Sequence, residues 1–353
     1  MKKVKFLLSF ILVMIMLWGC AAPAAYINFT QPWHKTYENS EYDVSFYYYL
    51  QDAGSIPSEH KDKIIKDSLD QEERIEIADG KLQYTIEQDD AQKHTWKLTA
   101  SLEITYLSEE ELKNILDKEY DNFKNALPLT GITKLGAVDT MTSTVVFSME
   151  KGKLYQPLKV TKEFDMPSAN ISLEYAFDYQ TYTFNYKLND QKNTITYKAK
   201  KIKSGYDNEQ LLLLIRSIDK DSFVAGYSAN LARVYNWTDA ADSKGLLMAN
   251  SINIHVQNDL KSIPITDEFL PFAKDVKQID NENRLGVYEV KIYKSSTYES
   301  GPALTAWYAQ MDITADGSYA TRLMIKNVQN IYNVTTAKKA FCISYDITSL
   351  KIA

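Results

Sequence analysis

Apolar positions recur with a period of two along most of this chain. Tyr42, Val44, Phe46, Tyr48 and Leu50 alternate with Asp43, Ser45, Tyr47 and Tyr49, which predicts a strand with one apolar and one mixed face. Trp96, Leu98, Ala100, Leu102, Ile104 and Tyr106 alternate as cleanly with Lys97, Thr99, Ser101, Glu103 and Thr105. The charged run 57–71 predicts a loop with a short helix. Residues 75–86 predict a hairpin turning at Asp79-Gly80, a favoured two-residue turn. Residues 138–200 predict a meander with strands over 141–149, 158–164, 171–179, 182–188 and 194–199. Adjacent antiparallel strands with one polar face follow from that pattern.

Two stretches break the period. Ser108 with Glu111 three residues on is a capping box. Behind it Leu112, Ile115, Leu116, Tyr120 and Phe123 fall near a 3.6-residue spacing, predicting a helix over 109–126 that stops before Pro128 and docks on a sheet. Asp207 with Gln210 at the third position opens a second helix over 207–217, and its run of leucines predicts burial. Strand patterns resume at 223–228, 231–237, 246–256, 287–293, 304–311, 321–328 and 340–347, with 266–277 helical but limited by Pro271. The fold expected is mainly β: antiparallel curved sheets or half-barrels, in one or two packed units, with a few short helices. A soft boundary near Ser204 would separate an N-terminal β unit (32–203) from a C-terminal one (204–353). One continuous curved sheet is equally compatible.

The N-terminus is different in kind. Lys2, Lys3 and Lys5 precede an apolar run from Phe6 to Leu17 that only Ser9 interrupts, followed by Trp18-Gly19-Cys20. Charge, short apolar core and small residue in that order read as a secretory signal peptide over 1–19. The run is shorter than the roughly 20 apolar residues a bilayer span needs. Cys20 stands where the lipobox of bacterial lipoproteins has its acylated cysteine. Leu17 and Gly19 fit that pattern, and Trp18 is bulkier than usual there. Cleavage after Ala22 or Ala24, and an uncleaved anchor, are the alternatives. The lipobox resemblance implies an exported chain held on the outer face of the cell membrane by diacylglycerol on Cys20, with 20–31 as tether.

Composition narrows the partners. The formal charge of −6 includes the three signal lysines, so the processed chain is more acidic still. With no basic stripe it is a poor candidate for nucleic acid. Acylation of Cys20 would leave Cys342 alone, so burial rather than a disulfide must stabilise the exported protein. The 25 Tyr and 13 Phe supply that burial, and tyrosines suit half-buried sheet faces.

No pattern for catalysis or metal binding emerges. His34, His60, His94 and His255 lack ligand spacing. Around Ser228, Gly226-Tyr-Ser-Ala-Asn230 lacks the final glycine of a nucleophile elbow. Asp312 to Gly317 lacks calcium-loop spacing and reads as a turn. Asp89-Asp90 and Glu109 to Glu111 read as solvated acids and helix-dipole complement. Cys342 falls on the strand face of Ala340, Ser344 and Asp346, without a base to activate it. No cofactor is implied. The remaining candidates are aromatic: Trp96, Trp237, Trp307 and Tyr308 could line a cleft in a concave sheet. Neighbours in a strand point to opposite faces, so only one of Trp307 and Tyr308 can face it.

Residues 139–147 with Leu154 to Lys159, Tyr206 to Leu211 with Ile215-Arg216, and the stretch 287–328 look like extracytoplasmic lipoproteins of Gram-positive anaerobes known only as domains of unknown function. The resemblance implies a half-barrel like those of lipoprotein carriers and lipocalin-type binders, and no catalytic residues. Three functions remain. The first is non-catalytic binding of an amphiphilic ligand, lipid or glycan, in a β cleft. The second is an envelope assembly component that binds a protein partner, and the third is an enzyme on wall polymer.

Overall fold

The structure, a computed structural model, describes residues 37–66, 71–130, 132, 134–166, 169–181, 183–188, 191–196, 205–218, 228–231, 233–235, 252–264, 284–294, 301–312, 320–333 and 335–352. The signal segment, Cys20, the tether, Trp237, the 266–277 helix and most of the 223–228 strand lie outside those residues.

Alternation produces strands over most of the described stretches where it was read, although the last strand of the meander begins at Gln191, inside the turn expected over 189–193. The first half contains β1 (Tyr37–Tyr49), β2 (Ile65–Lys66), β3 (Glu73–Asp90), β4 (Thr95–Tyr106), β5 (Val138–Ser148), β6 (Pro157–Met166), β7 (Ala169–Asp178), β8 (Thr183–Leu188) and β9 (Gln191–Thr196). The second contains β10 (Gly205–Asp207), β11 (Ser228–Leu231), β12 (Arg233–Tyr235), β13 (Ile252–Pro264), β14 (Arg284–Lys294), β15 (Leu304–Asp312), β16 (Ala320–Tyr332) and β17 (Lys339–Ile352). All but β10 and β12, a short parallel pair, belong to one antiparallel sheet. Its order is β11-β13-β14-β15-β16-β17-β1-β3-β4-β5-β6-β7-β8-β9, with β2 on β3. The first strand therefore lies beside the last: Val44 stands opposite both Gly80 of β3 and Tyr345 of β17. Strands from either side of residue 204 share the sheet.

The sheet is curved, and its contacts demand it. Tyr175 of β7 and Tyr308 of β15 both bond to the short segment 205–218. In a flat sheet those strands would be eight spacings apart, roughly 38 Å at about 4.8 Å each. Their targets, Asp207 and Leu212, are five residues apart along 3-10 and α-helical backbone, roughly 8–10 Å at about 1.5–2.0 Å per residue. Two extended tyrosine side chains added to that still fall short of the span. Only a sheet wrapped around the segment satisfies both.

Two helical inserts fill the concave face. At the Tyr48 end lie α1 (Glu109–Leu116) and α2 (Tyr120–Ala126). Ser108 caps α1 as expected, its Oγ accepting from Glu111 N while Glu111 accepts from Ser108 N. The single helix expected over 109–126 is instead broken at Asp117, whose φ is 48°. The break turns Glu119 inward, where its carboxylate accepts from Tyr48 OH and Gln51 N, each at 2.8 Å. Phe123 then packs edge-on against Tyr48 and Phe341.

The hairpin expected at Asp79-Gly80 does not form, because β3 runs straight through it. Gly80 is needed there for a different reason. A Cβ on it would lie 2.0 Å from the Glu103 carbonyl oxygen of β4, so glycine permits a close strand approach. The chain turns later, at 91–94, where Asp90 Oδ1 accepts from Gln92 N and Lys93 N.

Candidate functional site

The second insert begins with β10 and continues through a 3-10 turn, Asn208–Gln210, into α3 (Leu211–Arg216). The helix expected over 207–217 is thus shorter, and its first turn is tighter. In sequence it lies between β9 and β11, the two ends of the sheet, so the chain passes from one edge to the other through the interior. Asp207 caps it as the sequence suggests, accepting from Glu209 N at 2.9 Å, while Gln210 Oε1 accepts from Asp207 N at 3.2 Å.

Among the described residues the main chain of α3 pairs with no strand of the large sheet, and side chains fasten the segment there. Lys162 of β6, fully buried, donates to Asp207 Oδ1 at 3.1 Å and to Glu209 Oε1 at 3.4 Å. Tyr175 OH donates to the other Asp207 oxygen. Arg216 reaches across to Glu38 of β1. Ser217 Oγ donates to Leu213 O at 2.9 Å and so accepts from Tyr155 OH at 2.5 Å. Tyr308 OH donates to Leu212 O at 3.0 Å, and Arg322 to Ile218 O. Burial pulls the Lys162 ammonium down, but the Asp207 and Glu209 carboxylates outweigh it and hold its pKa above the ordinary value. Arg216 is raised likewise, Glu38 outweighing burial. Burial pushes Tyr206 up to about 12.

Between the segment and the sheet the packing is incomplete. A cavity of about 40 Å³ is lined by Tyr42, Tyr84, Ile86, Leu98, Leu212, Leu213 and Met324, with Glu38, Ser40, Glu209 and Arg216 at its polar side. A void of about 10 Å³ that Leu213 and Ile86 also line is bounded by Trp96, Phe147, Met149 and Tyr155. The first space holds a water molecule and no more than a few atoms of anything larger.

Of the aromatic candidates, Trp96 borders the smaller void and Tyr308 holds the segment. Trp307 is equally buried but stands on the opposite face, across from Glu289 and Lys326. Tyr308 is therefore the member of the pair that looks inward. Of the charged residues of the site the sequence marked Asp207 as a cap but assigned none of them to a site, and two others left a signal. Lys162 stands on the apolar row between Val160 and Phe164, and Glu38 and Ser40 continue inward the row that begins apolar at Tyr42.

The other residues weighed for chemistry are dispersed. Cys342 is buried on the outward row opposite Tyr47, where Arg74 Nη1 donates to its Sγ at 3.3 Å and the guanidinium covers the Tyr47 ring. His255 meets the Tyr293 ring edge-on. Among the described residues no group of three or more His, Cys, Asp or Glu is placed to hold a metal ion, and no helix is long and apolar enough to cross a membrane.

Fold and site together define an open antiparallel half-barrel closed from within by its own crossover segment. The chain is similar to a β-barrel-like protein of Domain of Unknown Function DUF1849 from Brucella abortus, at 10% identity and TM-score 0.46 over 90% of this chain and 98% of that one. It is also similar to a porin-like protein from Bacteroides uniformis, at 9% identity and TM-score 0.19 over 89% and 97%. No family model and no curated protein matches the chain.

Proposed function

We propose that this protein is an exported, membrane-anchored lipoprotein that binds an amphiphilic ligand, without chemistry, in the concave face of its half-barrel. The observation that supports this reading is the imperfect seat of the crossover segment. Apolar voids flank Leu213, on a face of Tyr, Ile, Leu and Phe side chains whose polar side carries Glu38 and Arg216. Apolar walls with a few placed polar groups are the usual lining of a small-molecule site. A ligand of lipid size needs more room than these voids offer, so it enters as the segment yields.

Every described strand and helix lies within residues 37–352, so a chain of residues 26–353 retains them all. Native mass spectrometry of that chain, purified without detergent, followed by solvent extraction, tests the reading. A discrete extra mass that extracts as lipid or glycolipid is expected. A clean apo mass that persists after incubation with membrane extract would sink it. The anchor is tested separately: Cys20→Ser should leave unprocessed precursor, and normal processing of that variant would remove Cys20 from the account.

A further inference from the structure

The crossover segment has the chemical layout of an amphiphile. It opens with carboxylates at Asp207 and Glu209 and continues as Leu211-Leu-Leu-Leu-Ile215. Its head is held by a cation and a phenol from the sheet, Lys162 Nζ and Tyr175 OH, which converge on the two oxygens of one carboxylate. Its aliphatic part lies on the concave face, with Leu213 lining both voids. The Lys162 side chain is fully buried, and a buried ammonium without an anion is costly. Whatever replaces the segment must therefore bring negative charge to this point.

Resting on the reading above, we infer that the ligand is an anionic amphiphile and that residues 207–215 are its internal stand-in. The ligand's carboxylate or phosphate takes the place of Asp207 on Lys162 and Tyr175. Its alkyl chain takes the place of Leu213 and Leu214 along Ile86, Leu98 and Phe147. Binding and release of residues 207–215 are then one exchange: the bonds that Asp207 surrenders on Lys162 and Tyr175 are remade by the ligand, while Arg216, outside the displaced residues, stays on Glu38. The exchange therefore exposes no bare cation on the floor of the half-barrel. A neutral amphiphile would strand Lys162 and binds more weakly for that reason.

The competition has a sign that can be read. Asp207→Asn keeps an equally good helix cap while removing the charge that competes with the ligand. Palmitate and hexadecanol share a chain and differ in the head, so their affinities for residues 26–353 isolate the anion. Palmitate should bind at least roughly tenfold more tightly than hexadecanol. Asp207→Asn should tighten palmitate roughly tenfold, because it weakens the seated segment with which the ligand competes. Lys162→Gln should abolish the preference, and if that variant does not fold the other two comparisons still decide. The same response with phosphatidylglycerol vesicles in place of palmitate would identify a phospholipid headgroup as the anion. Equal affinity for palmitate and hexadecanol, or an Asp207→Asn variant that binds palmitate no better, overturns the anionic assignment while the amphiphile reading stands. Binding of none of these overturns both.

Discussion

The Arg216 guanidinium meets the Glu38 carboxylate fork to fork, Nη1 3.2 Å from Oε1 and Nη2 2.9 Å from Oε2, across 178 residues of chain. Both side chains are almost fully buried. The pair ties the crossover segment to the first strand, and neither half can be removed without leaving the other charge in the core. Glu38→Leu or Arg216→Met alone should cost about 3–5 kcal/mol, and the double variant should recover most of that loss. Urea unfolding of the three variants checks it; single and double losses that simply add would show that the two residues act independently.

Gly80 is fixed by its neighbour rather than by a turn. Because the Glu103 carbonyl occupies the Cβ position, Gly80→Ala must push β3 and β4 apart near the middle of the sheet. A loss of about 2–4 kcal/mol is expected. Thermal unfolding measures it, and an Ala variant as stable as the parent would refute the close approach.

Ala337, in the turn joining β16 to β17, has a φ of 57°. That left-handed conformation costs a residue with a Cβ about 1–2 kcal/mol. Ala337→Gly relieves the strain but adds freedom to the unfolded chain. A net stabilisation of about 0.5–1 kcal/mol is expected. The midpoint of chemical denaturation reports it, and a lowered midpoint would contradict the assigned backbone.

Alkaline pH should unfold the protein. Burial raises the pKa of Tyr84 and Tyr308 well above the ordinary value, and Tyr42 and Tyr345 are raised with them. Lys162 is raised by its carboxylates. For all of these the unfolded chain gives up its proton first, so their contribution is complete below about pH 10 and declines as pH rises beyond it. Tyrosinate absorbance should therefore appear together with loss of circular dichroism. Ionisation of all the tyrosines at the ordinary pKa with the fold intact would contradict the burial.

The strands were legible because a period of two survives any tertiary context in which one face is buried. Tyr42 to Tyr48, Trp96 to Tyr106 and the meander from 138 to 188 needed nothing beyond the sequence, while the last strand of the meander starts at Gln191, earlier than the 194 expected. The capping boxes at Ser108 and Asp207 were legible for a similar reason, since a cap bonds to a main chain three residues away. The failures have physical causes as well. Asp79-Gly80 has the composition of a turn, but glycine serves equally where two backbones meet, and only the position of Glu103 distinguishes the cases. The apolar period over 109–126 runs on through Asp117 and so hid the break, whose effect, delivery of Glu119 to Tyr48 of β1, is visible only in the fold.

The site belongs almost entirely to tertiary structure. Asp207 declared itself as a cap, yet its partners Lys162 and Tyr175 come from strands whose alternation gave no reason to pair them with it. Glu38 and Arg216 are brought together only because the sheet curls until its two edges can be joined through its interior. Alternation is a property of each strand by itself, whereas curvature is a property of the whole sheet and of what it encloses. Sequence therefore determined which residues face inward, and the tertiary structure decided what they meet there.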